Sequence, residues 1–348
     1  MGHVGNRRQS LSALAVVAAP AVCAALALGA CATTAAATAP DGRTAGPPKT
    51  AFREIWAYLM RGEEKELTGS EPVTHLFYFA ASMTREGRLG DVPPRPDIAM
   101  DNGRRPEVHL VVAELSNDAL MHFSLDPRYR VTPLLVQDIC QAAAAYDGIQ
   151  IDFESVSRDD ADHFLDFLKA MKLGLPAGKM LSIAIPARTS SKSDAYDYGR
   201  ISAVVDRVVI MAYDEHWSTS SPGPVASLPW CSKVLDFAMS TIETGKVVMG
   251  LPLYGRAWQD KRLAKALRFR NIQDLVVEKR KRPGYTSELG AYFDYSENVV
   301  IKVFFDDKRS MQDKLDLYSE RNVSTIAFWR VGLGSPGLWS ELEAIGPP

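Results

Sequence analysis

The sequence predicts an α/β protein of the (β/α)8 TIM-barrel type, with a small α+β insertion between strands seven and eight. Eight short, apolar, β-rich runs recur along the chain, and amphipathic stretches of helical length separate most of them. The interval between the last two runs is much longer than the others. Strand–helix units joined by right-handed crossovers form a parallel sheet, and eight units can close a barrel of roughly 250 residues. A chain of 348 residues accommodates such a barrel as one domain.

The strands are predicted from runs rich in β-branched and aromatic residues. These runs are Glu54–Leu59, Thr74–Ala80, Val108–Leu115, Gly148–Phe153, Leu181–Pro186, Arg207–Tyr213, Val247–Leu253 and Thr325–Trp329. The helical stretches are Leu134–Tyr146, Asp159–Leu173, Val234–Thr244 and Met311–Arg321. Ser310, with Asp313 three residues later, is expected to cap the last helix. A doubly wound open sheet is the alternative fold. Its nucleotide-binding version is poorly supported, because no Gly-rich phosphate loop follows the first strand.

Residues 1–30 have the pattern of a lipoprotein signal peptide. Two arginines precede an apolar, Ala-rich stretch from Leu11 to Leu28. The segment Leu28-Gly29-Ala30-Cys31 resembles a bacterial lipobox, in which cleavage precedes the cysteine and a lipid joins its thiol. We therefore expect an exported lipoprotein of the bacterial cell envelope, in the periplasm or at the surface, held to a membrane through Cys31. One alternative is a signal peptide that is cleaved without lipidation. The other is a retained transmembrane anchor, which is disfavoured because the apolar stretch is short and is interrupted by Pro20.

Residues 31–50 consist mainly of small residues and proline, which cannot form a core, so they predict a flexible tether. The folded domain is expected to span 51–345 and to act as a monomer. The net charge of −2 gives no indication of nucleic-acid binding. The six histidines show no metal-ligand spacing, so neither a metal nor a cofactor is expected. Cys140 and Cys231 could pair in an oxidising compartment.

The insertion is placed at about 259–300. Tyr292–Tyr295 and Val299–Phe305 resemble strands. Between Lys261 and Arg282 the basic residues far outnumber the acidic ones. A solvated surface explains this pattern, and contact with an anionic polymer or a membrane is the sharper alternative.

The run Tyr146–Glu154 is the most informative stretch of the chain. Apolar and polar residues alternate with the period of a strand, so Gln150, Asp152 and Glu154 share one face. In a half-exposed strand this face would be wet, whereas in a parallel barrel it would point inward near the end that carries the chemistry. Two carboxyl groups this close cannot both ionise freely, so one should hold a proton near neutral pH. A neutral carboxylic acid beside a carboxylate suits glycoside hydrolysis, although a structural acid pair is the alternative.

This run resembles the catalytic strand of glycoside hydrolase family 18, the chitinase family, whose pattern is Asp-x-x-Asp-x-Asp-x-Glu. Asp147, Asp152 and Glu154 match it, and Gln150 replaces the middle Asp. The resemblance implies that Glu154 is the general acid. It also implies that Asp152 orients the substrate's 2-acetamido group, which attacks in place of a protein nucleophile. Asp147 and Gln150 are carried over as substrate-binding positions.

The Gln150 substitution affects the chemistry expected of this strand. An amide can donate a hydrogen bond to Asp152 but cannot accept its proton. Removing the neighbouring charge should also let Asp152 ionise more easily.

Further motifs of the family follow in order along the chain. Met211-Ala212-Tyr213-Asp214 matches the Met-x-Tyr-Asp motif, which implies that Tyr213 helps to position the acetamido group and that Met211 and Asp214 contact the sugar. Gly250–Arg256 resembles the seventh-strand signature, and its Tyr254 and Arg256 could reach sugar hydroxyls, although Arg256 could equally form an ion pair.

Trp329 ends the eighth strand, where the family has an aromatic floor beneath the sugar, and a core position is the alternative. Trp217, Trp230 and Trp258 could line outer sugar subsites or pack at the rim.

The resemblance spans about residues 52–341 and implies a retaining, substrate-assisted glycosidase. Its expected partner is an N-acetylglucosamine-containing polysaccharide, either peptidoglycan or chitin oligosaccharide, cleaved at β-1,4 bonds. The loop after Tyr213 looks more like bacterial and spore-cortex members than like animal chitinases. Two other functions remain open: a catalytically weak or inactive, lectin-like glycan-binding protein, and an envelope interaction protein without a glycan. Loss of hydrolysis on replacing Glu154 would separate the first reading from the other two.

Overall fold

The computed structural model of the chain describes residues 49–259, 264–297 and 299–346. The predicted signal peptide, Cys31 and nearly all of the predicted tether lie outside these described residues. Within the described ranges, no helix is both long enough and apolar enough to cross a membrane.

Eight parallel strands close into a barrel, which confirms the predicted fold class. The barrel strands are β2 (Glu54–Met60), β3 (His75–Met83), β5 (Glu107–Glu114), β6 (Gly148–Phe153), β7 (Met180–Pro186), β8 (Arg207–Met211), β9 (Val247–Pro252) and β15 (Thr325–Trp329). Around the barrel they follow the order β2-β15-β9-β8-β7-β6-β5-β3, and β3 pairs with β2 to close the barrel. Each overlaps one of the runs predicted from the sequence.

Helices surround this barrel, and further strands lie outside it. The outer strands are β1 (Thr50–Phe52), β4 (Leu89–Gly90), β10 (Tyr254–Gln259), β11 (Lys265–Arg268), β12 (Gly284–Thr286), β13 (Gly290–Ser296), β14 (Val300–Phe305) and β16 (Leu342–Ala344). The α-helices of the described ranges are α1 (Asp118–Leu125), α2 (Thr132–Ala142), α3 (Ala161–Gly174), α4 (Tyr198–Ser202), α5 (Leu228–Thr241), α6 (Phe269–Glu278) and α7 (Lys308–Glu320). The four predicted amphipathic stretches correspond to α2, α3, α5 and α7.

The alternation along β6 has the structural meaning that a barrel gives it. Its apolar side chains point outward, and Phe153 packs against Phe164 and Phe167 of α3. Its polar side chains Gln150 and Asp152 point into the barrel, where both are buried. The polar face is therefore an interior face, and the half-exposed strand that we considered is excluded.

Helix α7 begins earlier than predicted and has a different cap. Asp307 is the N-cap and accepts a hydrogen bond of 2.9 Å from the backbone N–H of Ser310. The Ser310 hydroxyl accepts in return from the backbone N–H of Asp307 at 3.0 Å. Ser310 therefore takes the third helical position of a capping box, and the predicted Ser310–Asp313 cap is wrong.

The insertion between the last two barrel strands is wider than the predicted 259–300. It runs from the start of β10 to the end of β14 and forms an antiparallel sheet in the order β11-β10-β14-β13-β12, covered by α6. Several of its cations are paired. Lys279 contacts Glu278 and Glu297, and Arg268 contacts Glu63 and Glu66 near the end of β2. The last two pairs tie the insertion to the barrel.

The two cysteines of the domain do not pair. Cys140 lies on α2 and Cys231 lies on α5, and both are free thiols. The disulfide that the sequence allowed is therefore absent from this structure.

Candidate active site

A cavity of about 460 Å³ opens at the carboxyl-terminal end of the barrel strands. Parallel barrels carry their chemistry at this end, because the loops that follow the strands converge there. The cavity is lined by Asp152, Glu154, Met211, Tyr213, Asp214, Tyr254, Arg256, Ala266, Leu267, Arg268, Trp329, Arg330 and Leu333. Eight of the ten predicted catalytic and substrate-binding residues thus lie around one cavity.

Asp152 and Glu154 occupy different depths of this cavity. Asp152 is only 3% exposed, and its Oδ1 has no hydrogen-bond partner among the described residues. Glu154 follows the end of β6, and its side chain is exposed to the cavity. A molecule bound in the cavity would therefore contact Asp152 at the bottom and Glu154 near the opening.

Both carboxyl groups hold their protons more tightly than a free carboxylic acid does. Burial, followed by the nearby Glu154 charge, raises the pKa of Asp152 to about 8. Loss of water contact, followed by the Asp214 charge, raises the pKa of Glu154. We expected Asp152 to ionise more easily because Gln150 is uncharged, but the effect of burial on the Asp152 pKa outweighs this change.

Tyr213 stands beside the carboxyl pair. Burial keeps its pKa well above the ordinary tyrosine value, so its hydroxyl stays a hydrogen-bond donor. Its ring meets the Tyr254 ring edge-on, with centroids 6.4 Å apart. Gly250 makes room for it, since a Cβ there would lie 3.1 Å from a Tyr213 ring carbon and 2.8 Å from the Ile210 carbonyl oxygen. The glycine of the predicted seventh-strand signature therefore leaves space for the ring of Tyr213, which lies just after the neighbouring strand β8.

Asp214, Tyr254 and Arg256 form a hydrogen-bonded cluster on one wall. The Tyr254 hydroxyl donates to Asp214 Oδ1 at 2.6 Å, and Arg256 donates to both Asp214 oxygens at 2.9 and 2.8 Å. Asp214 has a φ of 57°, a left-handed conformation that aspartate and asparagine adopt more readily than most residues. The ion pair that we offered as the alternative for Arg256 is thus present, and the cluster fixes the Asp214 carboxylate beside Glu154.

Trp329 forms the aromatic part of the floor. Its ring lies 5.0 Å from the ring of Tyr58 and 5.0 Å from that of Phe79, and it remains only partly buried. The peptide bond that joins it to Arg330 is cis, as is the bond between Phe79 and Ala80. The open part of the ring faces the cavity, so Trp329 is not purely a core residue.

Two predicted substrate-binding residues lie elsewhere. Asp147 precedes β6 at the amino-terminal end of the barrel, where its Oδ2 accepts from the Val108 N–H at 2.8 Å and from Arg95 at 2.6 Å. Gln150 is fully buried beneath the cavity, and its Nε2 donates to Ser182 Oγ at 3.3 Å rather than to Asp152. Both assignments are therefore corrected, because each strand residue adds about 3.3 Å of height and neither side chain reaches the cavity.

The outer tryptophans contribute little to the cavity. Trp258 is buried against Phe304, and its Nε1 donates to the Ser220 carbonyl at 3.1 Å. Trp230 packs against the outer core, whereas Trp217 is about half exposed. None of the three lines the cavity, and Trp217 alone presents an open ring face to solvent.

The sequence analysis missed the cationic rim. Arg268 from the insertion and Arg330 after β15 both line the cavity, and both donate to Glu63. Arg268 also donates to Glu66 at 3.1 Å and to the Gly332 carbonyl at 3.2 Å. Since these residues come from distant parts of the chain, only the basic composition of the insertion could have suggested them.

A TIM barrel with a carboxyl pair on one strand face, a neighbouring tyrosine and a tryptophan floor defines a glycosidase-type protein. The sequence profile described as glycosyl hydrolases family 18 matches residues 136–334, more than half of the chain, and the chain belongs to this family.

Individual relatives make the likeness more specific. The chain is 36% identical over 206 residues to YdhD of Bacillus subtilis (strain 168), covering 56% of this chain and 49% of YdhD, so it spans about half the length of that curated relative. The crystal structure of the Bacillus cereus spore cortex-lytic enzyme SleL is similar at a TM-score of 0.75 and 26% identity, over 88% of this chain and 79% of SleL. A chitinase from Chromobacterium violaceum shares the fold at a TM-score of 0.73 and 23% identity, over 83% of this chain and 97% of the chitinase.

Replacing Asp214 with asparagine is expected to move the alkaline limb of the pH–activity profile to lower pH. The Asp214 charge helps to raise the pKa of Glu154, so its removal lowers that pKa and a general acid at this position loses its proton earlier. Asparagine also tolerates the positive φ, so the backbone is preserved. Hydrolysis rates measured between pH 4 and 9 test this, and an unmoved limb would contradict it. Asp118→Asn, an exposed change on α1, is the control.

Proposed function

We propose that the protein is a retaining, substrate-assisted glycosidase that hydrolyses β-1,4 bonds after N-acetylglucosamine in peptidoglycan or a chitin-type glycan. One observation carries the proposal. Glu154 lies at the mouth of the cavity, and Asp152 lies buried behind it on the same strand face.

In the proposed first step, Glu154 gives its proton to the glycosidic oxygen as the bond from that oxygen to the anomeric carbon breaks. The acetamido carbonyl oxygen of the same sugar forms a new bond to the anomeric carbon, giving an oxazolinium ion. The Asp152 carboxyl group accepts a hydrogen bond from the acetamido N–H and so orients this group, while the Tyr213 hydroxyl holds the acetamido group in line. Asp152 is too deeply buried to serve readily as the nucleophile itself.

In the second step, a water molecule gives a proton to the Glu154 carboxylate and attacks the anomeric carbon. The oxazolinium ring opens, and the sugar keeps its original configuration after two inversions. Trp329 would support the apolar face of the sugar ring during both steps, since its open ring faces the cavity.

Peptidoglycan is our preferred polymer. SleL, which is named for lysis of spore cortex, shares 26% of aligned residues and the fold over most of this chain. The chitinase from Chromobacterium violaceum supports chitin only at the level of the fold. An envelope lipoprotein attached through Cys31 would also meet peptidoglycan first.

The proposed lipid anchor is tested by the substitution Cys31→Ser, which removes the thiol that would carry the lipid. The variant should move from the membrane fraction to the soluble fraction, and unchanged membrane retention would contradict the lipid anchor.

The function is tested by mass spectrometry of the products formed from purified sacculi and, in parallel, from chitin oligosaccharides. We expect fragments that end in a reducing N-acetylglucosamine, with sacculi cleaved more efficiently. The Glu154→Gln protein, prepared in the same way, is the control for contaminating hydrolases. Absence of new fragments from both polymers, with a folded protein, would overturn the proposal.

A glycan-binding protein without activity is the second candidate, and Gln150 is the observation that favours it. The amide occupies the buried position below Asp152, where the family pattern has a third carboxyl group that can share a proton. Under this reading both wild type and Glu154→Gln bind chitin oligosaccharides equally well in calorimetry, and neither releases products. Product release by the wild type alone excludes it.

A further inference from the structure

Three metal-ligating side chains meet at the amino-terminal end of the barrel, far from the cavity. His75 opens β3, and Glu107 and His109 lie at the start of β5. Residues 75 and 107 pair across the two parallel strands, and Glu107 and His109 are two residues apart on one strand face. The fold therefore brings two imidazoles and one carboxylate to the same side of two neighbouring strands.

The spacing of the donor atoms suits a metal ion. Glu107 Oε2 lies 3.4 Å from His75 Nε2 and 3.5 Å from His109 Nε2. One ligand atom from each of the three residues lies within 4.8 Å of the others. Zinc bonds of 2.0–2.2 Å at tetrahedral angles place neighbouring donors about 3.4 Å apart. The two distances to the carboxylate match this separation.

A hydrogen bond to the Thr74 hydroxyl fixes the tautomer of His75. Its Nδ1 lies 2.8 Å from the Thr74 hydroxyl oxygen. That hydroxyl donates its own proton to the Ile55 carbonyl at 3.1 Å, so it can only accept from His75. In the neutral imidazole the proton is therefore on Nδ1, and the Nε2 lone pair faces the Glu107 carboxylate. Two lone-pair groups in this arrangement repel each other unless a cation lies between them.

His109 is the independent indication of a ligand. Its side chain is 0% exposed, its Nδ1 has no hydrogen-bond partner among the described residues, and its Nε2 lies 3.5 Å from Glu107 Oε2. The ring stacks on Phe77 at 4.7 Å and fits only because residue 148 is a glycine, whose added Cβ would lie 2.3 Å from Nδ1. A fully buried ring nitrogen without a hydrogen-bond partner is uncommon in a native protein.

We propose that His75, Glu107 and His109 form a binding site for a divalent transition-metal ion, with Zn²⁺ as the best match. Two imidazole nitrogens and one carboxylate oxygen are ligands that this ion accepts, with water completing the tetrahedron. The Glu107 side chain is 41% exposed and provides a route from solvent. Because this end of a barrel contributes to stability rather than to chemistry, the ion would join β3 to β5 and take no part in hydrolysis.

The cluster has one alternative explanation that uses only protons. A protonated His75 would form an ion pair with Glu107, whose pKa the His109 and His75 imidazoles hold well below the usual range. In that case added metal has no effect on the folded protein. Zinc binding and protonation compete for the same nitrogen, so direct binding measurements distinguish them.

The experiment is titration of the chelator-treated full chain with ZnCl₂ in a calorimeter, together with Co²⁺ absorption spectra and melting curves. The variants are Glu107→Gln, which keeps the size of a partly exposed side chain, and His109→Phe, which keeps a buried ring. The control is the double variant His122→Gln and His163→Gln, which removes two partly exposed histidines that share the buried Asp160.

The proposal predicts one Zn²⁺ per chain, visible Co²⁺ d–d bands and a higher Tm with zinc, all retained in the control. Glu107→Gln should weaken zinc binding by at least about 100-fold, and its circular dichroism spectrum shows whether it is folded. No zinc binding by the wild type would overturn the proposal. Zinc binding that survives in both Glu107→Gln and His109→Phe, or that is lost in the control, would overturn the proposal as well.

Discussion

Replacing Glu154 with glutamine is expected to lower kcat/KM by about 10³-fold, within the range that a general acid contributes. Glutamine has the same shape and retains hydrogen bonding, but its amide cannot donate a proton to the leaving oxygen. The Glu154 side chain is exposed to the cavity, so the change should leave the fold intact. Rates on chitin oligosaccharides or on solubilised peptidoglycan fragments, with binding measured by calorimetry, separate lost chemistry from lost affinity.

The matched control for this change is Glu114→Gln. Glu114 ends the neighbouring strand β5 at the same end of the barrel, outside the cavity lining, and its carboxylate accepts from the Ser116 and Asn117 backbone N–H groups. A glutamine oxygen can accept the same bonds. Equal activity of wild type and Glu154→Gln would exclude Glu154 as the acid. An equal loss of kcat/KM in Glu154→Gln and Glu114→Gln would show that any carboxylate removed from this end of the barrel lowers activity, and would not support a specific role for Glu154.

Replacing Asp152 with asparagine is expected to lower kcat by about 10²-fold and to stabilise the fold at alkaline pH. The native carboxyl has a pKa of about 8, whereas an aspartate in the unfolded chain has a pKa near 3.9. Between these values the native state holds a proton that the unfolded state has lost. The free energy of unfolding therefore falls as pH rises through this window, by up to about 1.4 kcal/mol per pH unit.

An asparagine removes this pH-dependent loss because it does not titrate. Between pH 5 and pH 8 the variant should gain stability over the wild type, by on the order of 2–4 kcal/mol at pH 8. Urea unfolding of both proteins at pH 5, 6.5 and 8 measures the difference. A difference in the free energy of unfolding between the two proteins that stays constant with pH would contradict the raised pKa of Asp152. The control is Asp118→Asn on the surface, whose free energy of unfolding should match that of the wild type at each pH. The buried, protonated Asp152 carboxyl is thus held at the expense of stability at alkaline pH.

The sequence predicted the fold well because its pattern is repeated. Along β6, the alternation of Ile149, Ile151 and Phe153 with polar residues specified both the strand and its two faces. The cavity residues Tyr213 and Trp329 were predicted for a related reason, because they follow strand ends that must converge in a closed barrel. The expected chemical roles of Asp152, Glu154 and Tyr213 came from the family pattern, because the alternation of apolar and polar residues predicts only a strand and its two faces.

Height along a strand and pairing between distant segments were much harder to predict. Asp147 and Glu154 belong to one motif, yet they lie at opposite ends of β6, and the motif does not show which end faces the substrate. His75 and His109 look unrelated in sequence, because only the pairing of β3 with β5 brings them together. The Asp307 cap was missed since a serine three residues later gives a similar local signal.

The rim of the cavity is held differently from the barrel beneath it. Glu63 accepts hydrogen bonds from both Arg268 and Arg330, so a single carboxylate joins the inserted sheet, the end of β15 and the loop after β2. These side chains keep between 18% and 25% of their surface exposed, so dissolved ions partly screen their attraction. The barrel is held by apolar packing, which salt does not weaken. Rising ionic strength should therefore loosen the entrance to the cavity at salt concentrations that leave the fold of the barrel unchanged.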